Sequence, residues 1–270
     1  MSYFNFNGKK IKIWENKLDL SDRGINTISE VKELERHTHL KELNLSGNNI
    51  RKIEGLESLV NLESLNLRYN QITEITGLEN LTKLKRLLLY NNRITEIKGL
   101  NTLIWLKELN LYENYITEIT GLKNLTKLNE LYIGSNRILE IKAVEDLINL
   151  KYLNLEKNKI SEIMGLSNLK NLILLALKWN QITEIKNLQN LRNLMRLELS
   201  YNQISEIKGL ETLEKLTYID LKGNPIYDSY LFIKSNKKLR KLVRHLDAQD
   251  LVNYCKQNSE NVNNLKRSYL

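Results

Sequence analysis

Residues 62–81 read Leu-Glu-Ser-Leu-Asn-Leu-Arg-Tyr-Asn-Gln-Ile-Thr-Glu-Ile-Thr-Gly-Leu-Glu-Asn-Leu, and this stretch decides the fold. Leu62, Leu65 and Leu67 lead to Asn70, after which Ile72, Ile75, Leu78 and Leu81 follow at steps of three. Alternation every two residues is the mark of a strand, whereas a step of three suits a 3₁₀-like or extended return segment. The same text recurs around Asn48, Asn70, Asn92, Asn114, Asn136, Asn158, Asn180, Asn202 and Asn224, always 22 residues apart. One copy cannot bury such an apolar face, so successive copies must stack and share a continuous Leu/Ile core.

The polar columns of the repeat follow from the same logic. Each Asn stands where the chain turns after its strand, and an amide can donate and accept, so a buried Asn satisfies backbone groups of two adjacent turns. A second column, Gly55, Gly77, Gly99, Gly121, Gly165 and Gly209, predicts a tight or left-handed backbone on the return side, with Ala143 and Asn187 in its place in two copies. A third, Glu74, Glu96, Glu118, Glu140, Glu162, Glu184 and Glu206, is followed two residues later by Lys98, Lys142, Lys186 and Lys208 in four copies and reads as a solvated face.

Composition agrees with a repeated unit. About one residue in five is Leu and there is a single Pro. With 41% hydrophobic and 27% charged residues the chain is not generally disordered. No segment approaches the ~20 apolar residues that span a bilayer, so no membrane insertion is expected. Met1 to Lys10 lacks the apolar run of a secretory signal, and the one cysteine, Cys255, suits a reducing compartment. These features lead to a cytoplasmic, monomeric repeat protein as the expectation.

The pattern is identified as that of a leucine-rich-repeat protein of the 22-residue class, with nine repeats over residues 40–226. Within that class it resembles the leucine-rich-repeat regulatory subunits of protein phosphatase one, whose copies read much like Asn-x-Ile-x-x-Ile-x-Gly-Leu. Internalins share the period, and Gly-Leu-Lys-Asn-Leu-Thr-Lys-Leu (121–128) fits either group. Internalins are exported and carry a helical N-terminal cap, neither of which is read here, so they rank second. The resemblance implies a right-handed α/β solenoid with a parallel sheet on its concave face and a 3₁₀ or extended convex side.

Open solenoid ends need caps. Phe4-Asn5-Phe6-Asn7-Gly8-Lys9-Lys10-Ile11-Lys12-Ile13 alternates around Asn-Gly, the strongest short hairpin signal. Leu18, Leu20, Ile25 and Ile28 then form a degenerate first repeat with Arg23 at the Asn position, so residues 1–39 are read as the N-terminal cap. After Pro225, residues 227–270 are read as a C-terminal cap and tail. Leu239, Leu242, Val243, Leu246, Leu251 and Val252 keep helical spacing, and the Asn- and Ser-rich stretch 257–270 is expected to fray.

No enzyme is expected. The sequence holds no phosphate-binding glycine loop and no paired cysteines for zinc, and His37 and His39 find no further ligands at matching spacing. No base stands near Cys255 to activate it. Catalytic residues, metal and cofactors are therefore all read as none.

The functional expectation falls on the concave face, where residues between the buried Leu side chains point to solvent. Four columns emerge. Tyr90 and Tyr112 adjoin in one, and Tyr132, Tyr152 and Leu174 continue an aromatic–apolar diagonal, with Tyr69, Trp179 and Tyr201 along the adjacent edge. Arg86, Leu88, Glu108, Glu130, Lys178 and Tyr218 complete the candidate partner-binding set. Tyr and Trp give much contact area with few rotors, so the face is expected to bind a protein or peptide. Against this, aromatic neighbours on adjacent strands also stabilise a sheet by ~0.2–1 kcal/mol per pair with no partner. The net charge of +9 is concentrated late: nine bases and three acids in 234–270 contribute +6. A face of mixed sign is no channel for nucleic acid, which is left as the lesser alternative, through the basic C-terminal cap at Lys237 to Arg244.

Overall fold

The computed structural model describes residues 2–228 and 248–268. Each 22-residue copy delivers one three-residue strand, the Asn turn, and a return path bonded as short turns. The chain divides into two compact units, residues 1–138 and 139–270. The division falls within Ile138-Leu139-Glu140-Ile141-Lys142-Ala143, the one copy with Ala in the glycine column.

The first unit opens with β1 (Ser2–Phe6) and β2 (Lys9–Ile13), paired antiparallel. Asn7 and Gly8 both have positive φ, +49° and +75°, the type I′ geometry that Asn-Gly favours. Phe4 and Ile13 are buried, so the hairpin covers the first apolar layer as expected. The strands β3 (Lys17–Asp19), β4 (Glu42–Asn44), β5 (Ser64–Asn66), β6 (Arg86–Leu88), β7 (Glu108–Asn110) and β8 (Glu130–Tyr132) then pair in parallel, each with the next. Register sets Leu43, Leu65, Leu87, Leu109 and Leu131 side by side, the 22-residue step made spatial. All of them are buried, as are Leu67, Ile72, Ile75, Leu78 and Leu81 in the copy quoted above.

The return segments depart from regular helix in a particular way. Short 3₁₀ helices occur at Ile28–Glu30 and Leu34–Arg36. Later copies keep only the bonds of such a helix, in pairs: Leu59 N–H donates to the Leu56 carbonyl and Leu62 N–H to that of Leu59, each at 2.9 Å. With apolar positions three residues apart, two such turns bring consecutive Leu side chains onto one face.

The Asn column behaves as its chemistry requires. Asn70 Nδ2 donates to the Leu45 carbonyl of the preceding coil and to the Leu67 carbonyl of its own, at 2.9 and 3.0 Å. Its Oδ1 accepts from the Ile50 N–H at 3.0 Å. Asn48 does the same for the degenerate coil, donating to the Leu20 carbonyl and accepting from the N–H groups of both Arg23 and Ile25, so these groups are bonded although Arg stands at that coil's own Asn position. The glycine column is left-handed throughout: Gly77 has φ +68°, and an added Cβ would collide with the Ile53 carbonyl oxygen. Ala143 and Asn187 hold the same left-handed backbone, φ +55° and +63°, and Asn187 Nδ2 donates to the Ile163 carbonyl at 2.7 Å.

In the second unit β9 (Tyr152–Asn154), β10 (Leu174–Ala176), β11 (Arg196–Glu198) and β12 (Tyr218–Asp220) pair in parallel over an equally buried core. A single turn, α1 (Pro225–Asp228), follows the last Asn, and α2 (Ala248–Ser268) closes the described chain. Helix α2 docks through buried Leu251, Val252 and Cys255. Gln249 Nε2 donates to the Leu216 carbonyl at 2.6 Å, and Lys256 pairs with Glu214 at 3.2 Å. Helix α2 runs on to Ser268, through the Asn- and Ser-rich stretch. Once its first turns are anchored, each further residue gains one backbone bond without a new nucleation cost. The predicted helix positions Leu239, Leu242, Val243 and Leu246, and the basic residues 234–244, lie outside the described residues.

Candidate partner-binding face

The strands are so short that only two of the four predicted face positions lie within them, flanking the buried Leu; the third lies beyond the strand's end, after a second buried residue (Arg68 after Leu67). The fourth corrects the expectation from alternation. Gly47, Tyr69, Asn91, Glu113, Ser135, Lys157, Trp179, Tyr201 and Gly223 all have positive φ, from +51° to +68°. A left-handed residue falls out of the two-residue alternation, and Trp179, stacked on Tyr201 of the next coil, shows its side chain lying along the stack. Asp22, in the same position of the degenerate coil, lies where a Cβ of Gly47 would be, and Tyr201 lies against Gly223, whose Cβ would stand 2.6 Å from the ring. A left-handed backbone costs a side-chain-bearing residue roughly 1–2 kcal/mol, which makes bulky aromatics here expensive.

In the first unit the rings of Tyr69 and Tyr90 meet edge to face at 4.8 Å, and the Arg68 guanidinium lies 5.7 Å above Tyr90. Burial raises the Tyr90 hydroxyl's pKa, and the Tyr69 hydroxyl adds to that rise while Arg68 opposes it. Tyr112 and Tyr132 are half-buried on the next two coils, and the Tyr132 hydroxyl donates to Glu130 at 2.7 Å. Arg86 pairs with Glu108 at 2.7 Å, and Glu108 stands in register with Glu130. Leu88, placed in the contact set on sequence grounds, is only 7% exposed. It replaces the Asn of neighbouring strands and sinks between them, so it presents little surface to a partner.

Sequence reasoning missed a groove of about 360 Å³ in this unit, whose lining includes Lys12, Trp14, Lys17, Asn44, Asn66 and Leu88. Trp14 follows β2 directly, is bridged to Lys17, and has the Lys12 ammonium 4.0 Å over its ring. The available signal was a Trp at a hairpin's end, on no core position of the pattern.

The second unit carries the tighter aromatic pair. Trp179 and Tyr201 stack at 3.8 Å with ring planes 9° apart, while staying 51% and 36% exposed. The Arg196 guanidinium lies 4.0 Å over Tyr218 and its Nε donates to Glu198. Lys178 sits between Glu198 at 3.0 Å and Asp220 at 3.8 Å. Burial works against the Lys178 ammonium, but the Glu198 hydrogen bond and the two carboxylate charges prevail and hold its pKa above the ordinary value. Tyr152 and Leu174 are half-buried and stand in register on adjacent strands. The sequence diagonal thus resolves into one set per unit: Tyr90, Tyr112 and Tyr132 in the first, Tyr152 and Leu174 in the second.

Other reactive groups have packing roles. The His37 ring meets Phe4 at 5.3 Å and His39 at 5.7 Å, and burial, with His39 beside it, lowers its pKa. Burial pushes the Cys255 thiol up to about 11, the reverse of what an activated nucleophile needs. Among the described residues no His, Cys, Asp and Glu cluster could hold a metal, and no helix is long and apolar enough to cross a membrane.

Comparisons with known proteins agree with this architecture. Models described as leucine-rich repeats match residues 38–80, 60–103, 82–124 and 104–149 in two-copy form, and 183–226 as a further leucine-rich repeat. No curated protein matches the sequence. Among solved structures, an internalin of Listeria monocytogenes is 36% identical with a TM-score of 0.70; the match covers 76% of this chain and 60% of that one. Internalin C2 of the same organism is 32% identical with a TM-score of 0.63, over 77% of this chain and 80% of that one. The ectodomain of the Arabidopsis thaliana membrane receptor kinase GASSHO1/SCHENGEN3 was solved in complex with Casparian strip integrity factor 2. It is 29% identical with a TM-score of 0.63, over 77% of this chain and 27% of that one. With the repeat models and these structures in agreement with the stacked coils seen here, the chain belongs to the leucine-rich-repeat proteins.

Proposed function

We propose that the protein is a non-enzymatic interaction module whose strand face binds a protein or peptide. The carrying observation is two aromatic pairs, Tyr69–Tyr90 and Trp179–Tyr201, in which Tyr69, Trp179 and Tyr201 are exposed and stand on a left-handed backbone that glycine or asparagine would occupy at lower cost, while Tyr90 is half-buried. Aromatic side chains of this kind dominate the energetics of protein interfaces. The receptor-kinase ectodomain, solved with a bound partner, supports the reading by likeness of fold. The residues proposed are Tyr69, Arg86, Tyr90, Glu108, Tyr112, Glu130 and Tyr132 in the first unit, with Leu88 as supporting floor, and Tyr152, Leu174, Lys178, Trp179, Tyr201 and Tyr218 in the second. Replacing Tyr112, Tyr132 and Tyr152 with Ala should remove crosslinks to native partners, read by mass spectrometry, while circular dichroism stays unchanged. Undiminished crosslinking by that folded variant would sink the idea.

A specific observation favours a second reading at the level of biology. The likeness to two internalins, at 36% and 32% identity, supports an internalin-like exported role over that of a cytoplasmic phosphatase regulator. Fractionation of the source cells with an antibody to this chain decides between them: recovery outside the cytoplasm supports the exported role, and recovery only in the cytosol rejects it.

A further inference from the structure

We infer that the Trp179–Tyr201 stack is the seat of an acidic segment of the partner protein, an inference that rests on the interaction reading above and narrows its chemistry. The seat is built by the backbone. Tyr201 lies between the Trp179 indole on one side and Gly223 on the other, and Trp179, 51% exposed, keeps the larger surface open to a ligand. Both residues hold φ +56°, and the same column accepts Gly47, Asn91 and Gly223 elsewhere, so the left-handed turn does not itself ask for aromatics.

Charge selects the occupant. The Lys157 N–H bonds to the Lys178 carbonyl at 2.8 Å and the Tyr201 N–H to the Lys222 carbonyl at 2.7 Å. One lysine therefore stands one coil before Trp179, and another stands one coil after Tyr201. Both are exposed, and neither has an ion-pair partner among the described residues. The other cations of this face are already engaged, Lys178 with Glu198 and Asp220 and Arg196 with Glu198. The uncommitted charge beside the rings is thus positive at both ends, which fits a short peptide segment with an apolar or aromatic side chain on Trp179 and carboxylates toward the two lysines. A single-stranded nucleic acid fits less well. It needs successive open ring faces, of which this stack leaves one, and its phosphates would pass the Glu198 and Asp220 carboxylates.

The test is selection of a displayed random peptide library on the full chain, followed by fluorescence anisotropy with a labelled selected peptide. The same measurement is made on that peptide with Asp and Glu changed to Asn and Gln, and on a labelled oligodeoxythymidylate. Selected peptides should be rich in Asp and Glu. Affinity should fall about tenfold or more for the neutralised peptide, for the double variant Lys157→Glu/Lys222→Glu, and for Trp179→Ala, with circular dichroism unchanged. Peptides without acidic enrichment, or insensitive to the lysine variants, overturn the acidic seat. If they still depend on Tyr112, Tyr132 or Tyr152 the interaction reading survives, and if they ignore every face substitution both fall. Tighter binding of the oligonucleotide through the same two lysines also overturns the inference, in favour of nucleic acid.

Discussion

At the scale of single residues, two columns carry the fold and can be tested separately. Asn70 joins two coils through three buried backbone groups, so Asn70→Ala orphans the Ile50 N–H and leaves the Leu45 and Leu67 carbonyls with one amide donor each, from Asn48 and Asn92, in place of two. At about 1–3 kcal/mol for an orphaned buried group, and with partial relaxation, the variant should lose about 3 kcal/mol in urea denaturation. A loss under about 1 kcal/mol would mean that water replaces the amide. Gly77→Ala combines a positive φ with a collision against the Ile53 carbonyl. It should cost about 3 kcal/mol, more than the ~1–2 kcal/mol of conformational strain alone. Ala143 shows that a methyl group can be housed in this column, so a negligible loss at Gly77 would show that the carbonyl yields.

At the scale of elements, the short strands are stabilised less by their own length than by what lies beneath and beyond them. Three residues per strand leave room for only a few ladder bonds, and the Asn amides extend the bonded ladder past the strand's end. Helix α2 closes the second unit by covering apolar groups, with Cys255 buried against the last coil. Its thiol, raised to about 11, is almost wholly protonated at pH 8. Alkylation of the folded protein at pH 8 should therefore run about a hundredfold slower than in denaturant, and rise as pH climbs toward 11. Equal rates in the two states would mean that α2 does not stay docked. The hairpin at the other end was legible from Asn7-Gly8 alone. The reach of α2 through Asn- and Ser-rich sequence was not, because docking of its first turns outweighs weak local propensity.

At the scale of the whole molecule, every coil within a unit bonds mainly to the coils beside it, so stability spreads along the stack by neighbour contacts. Within the first unit, amide hydrogen exchange should be slowest in β5, β6 and β7, which have a partner strand on each side, and faster in β1 of the capping hairpin. Uniform protection across the unit would show instead that it opens only as a whole.

The amino-acid pattern by itself determined the architecture: the period, the strand, the turn made by Asn and the left-handed glycine column. Each of these is a local demand repeated in every copy, so it can be read from any one of them. Tertiary structure alone decided which side chains are presented. It showed that the position before each Asn leaves the strand, that Trp179 lies on Tyr201 and Tyr201 on Gly223, that Leu88 sinks into the face, and that Trp14 lines a groove with residues distant in sequence. The reason is geometric. A left-handed residue turns its side chain out of the two-residue alternation, and whether a ring is covered depends on neighbours one coil away, a relation that exists only once the coils have stacked.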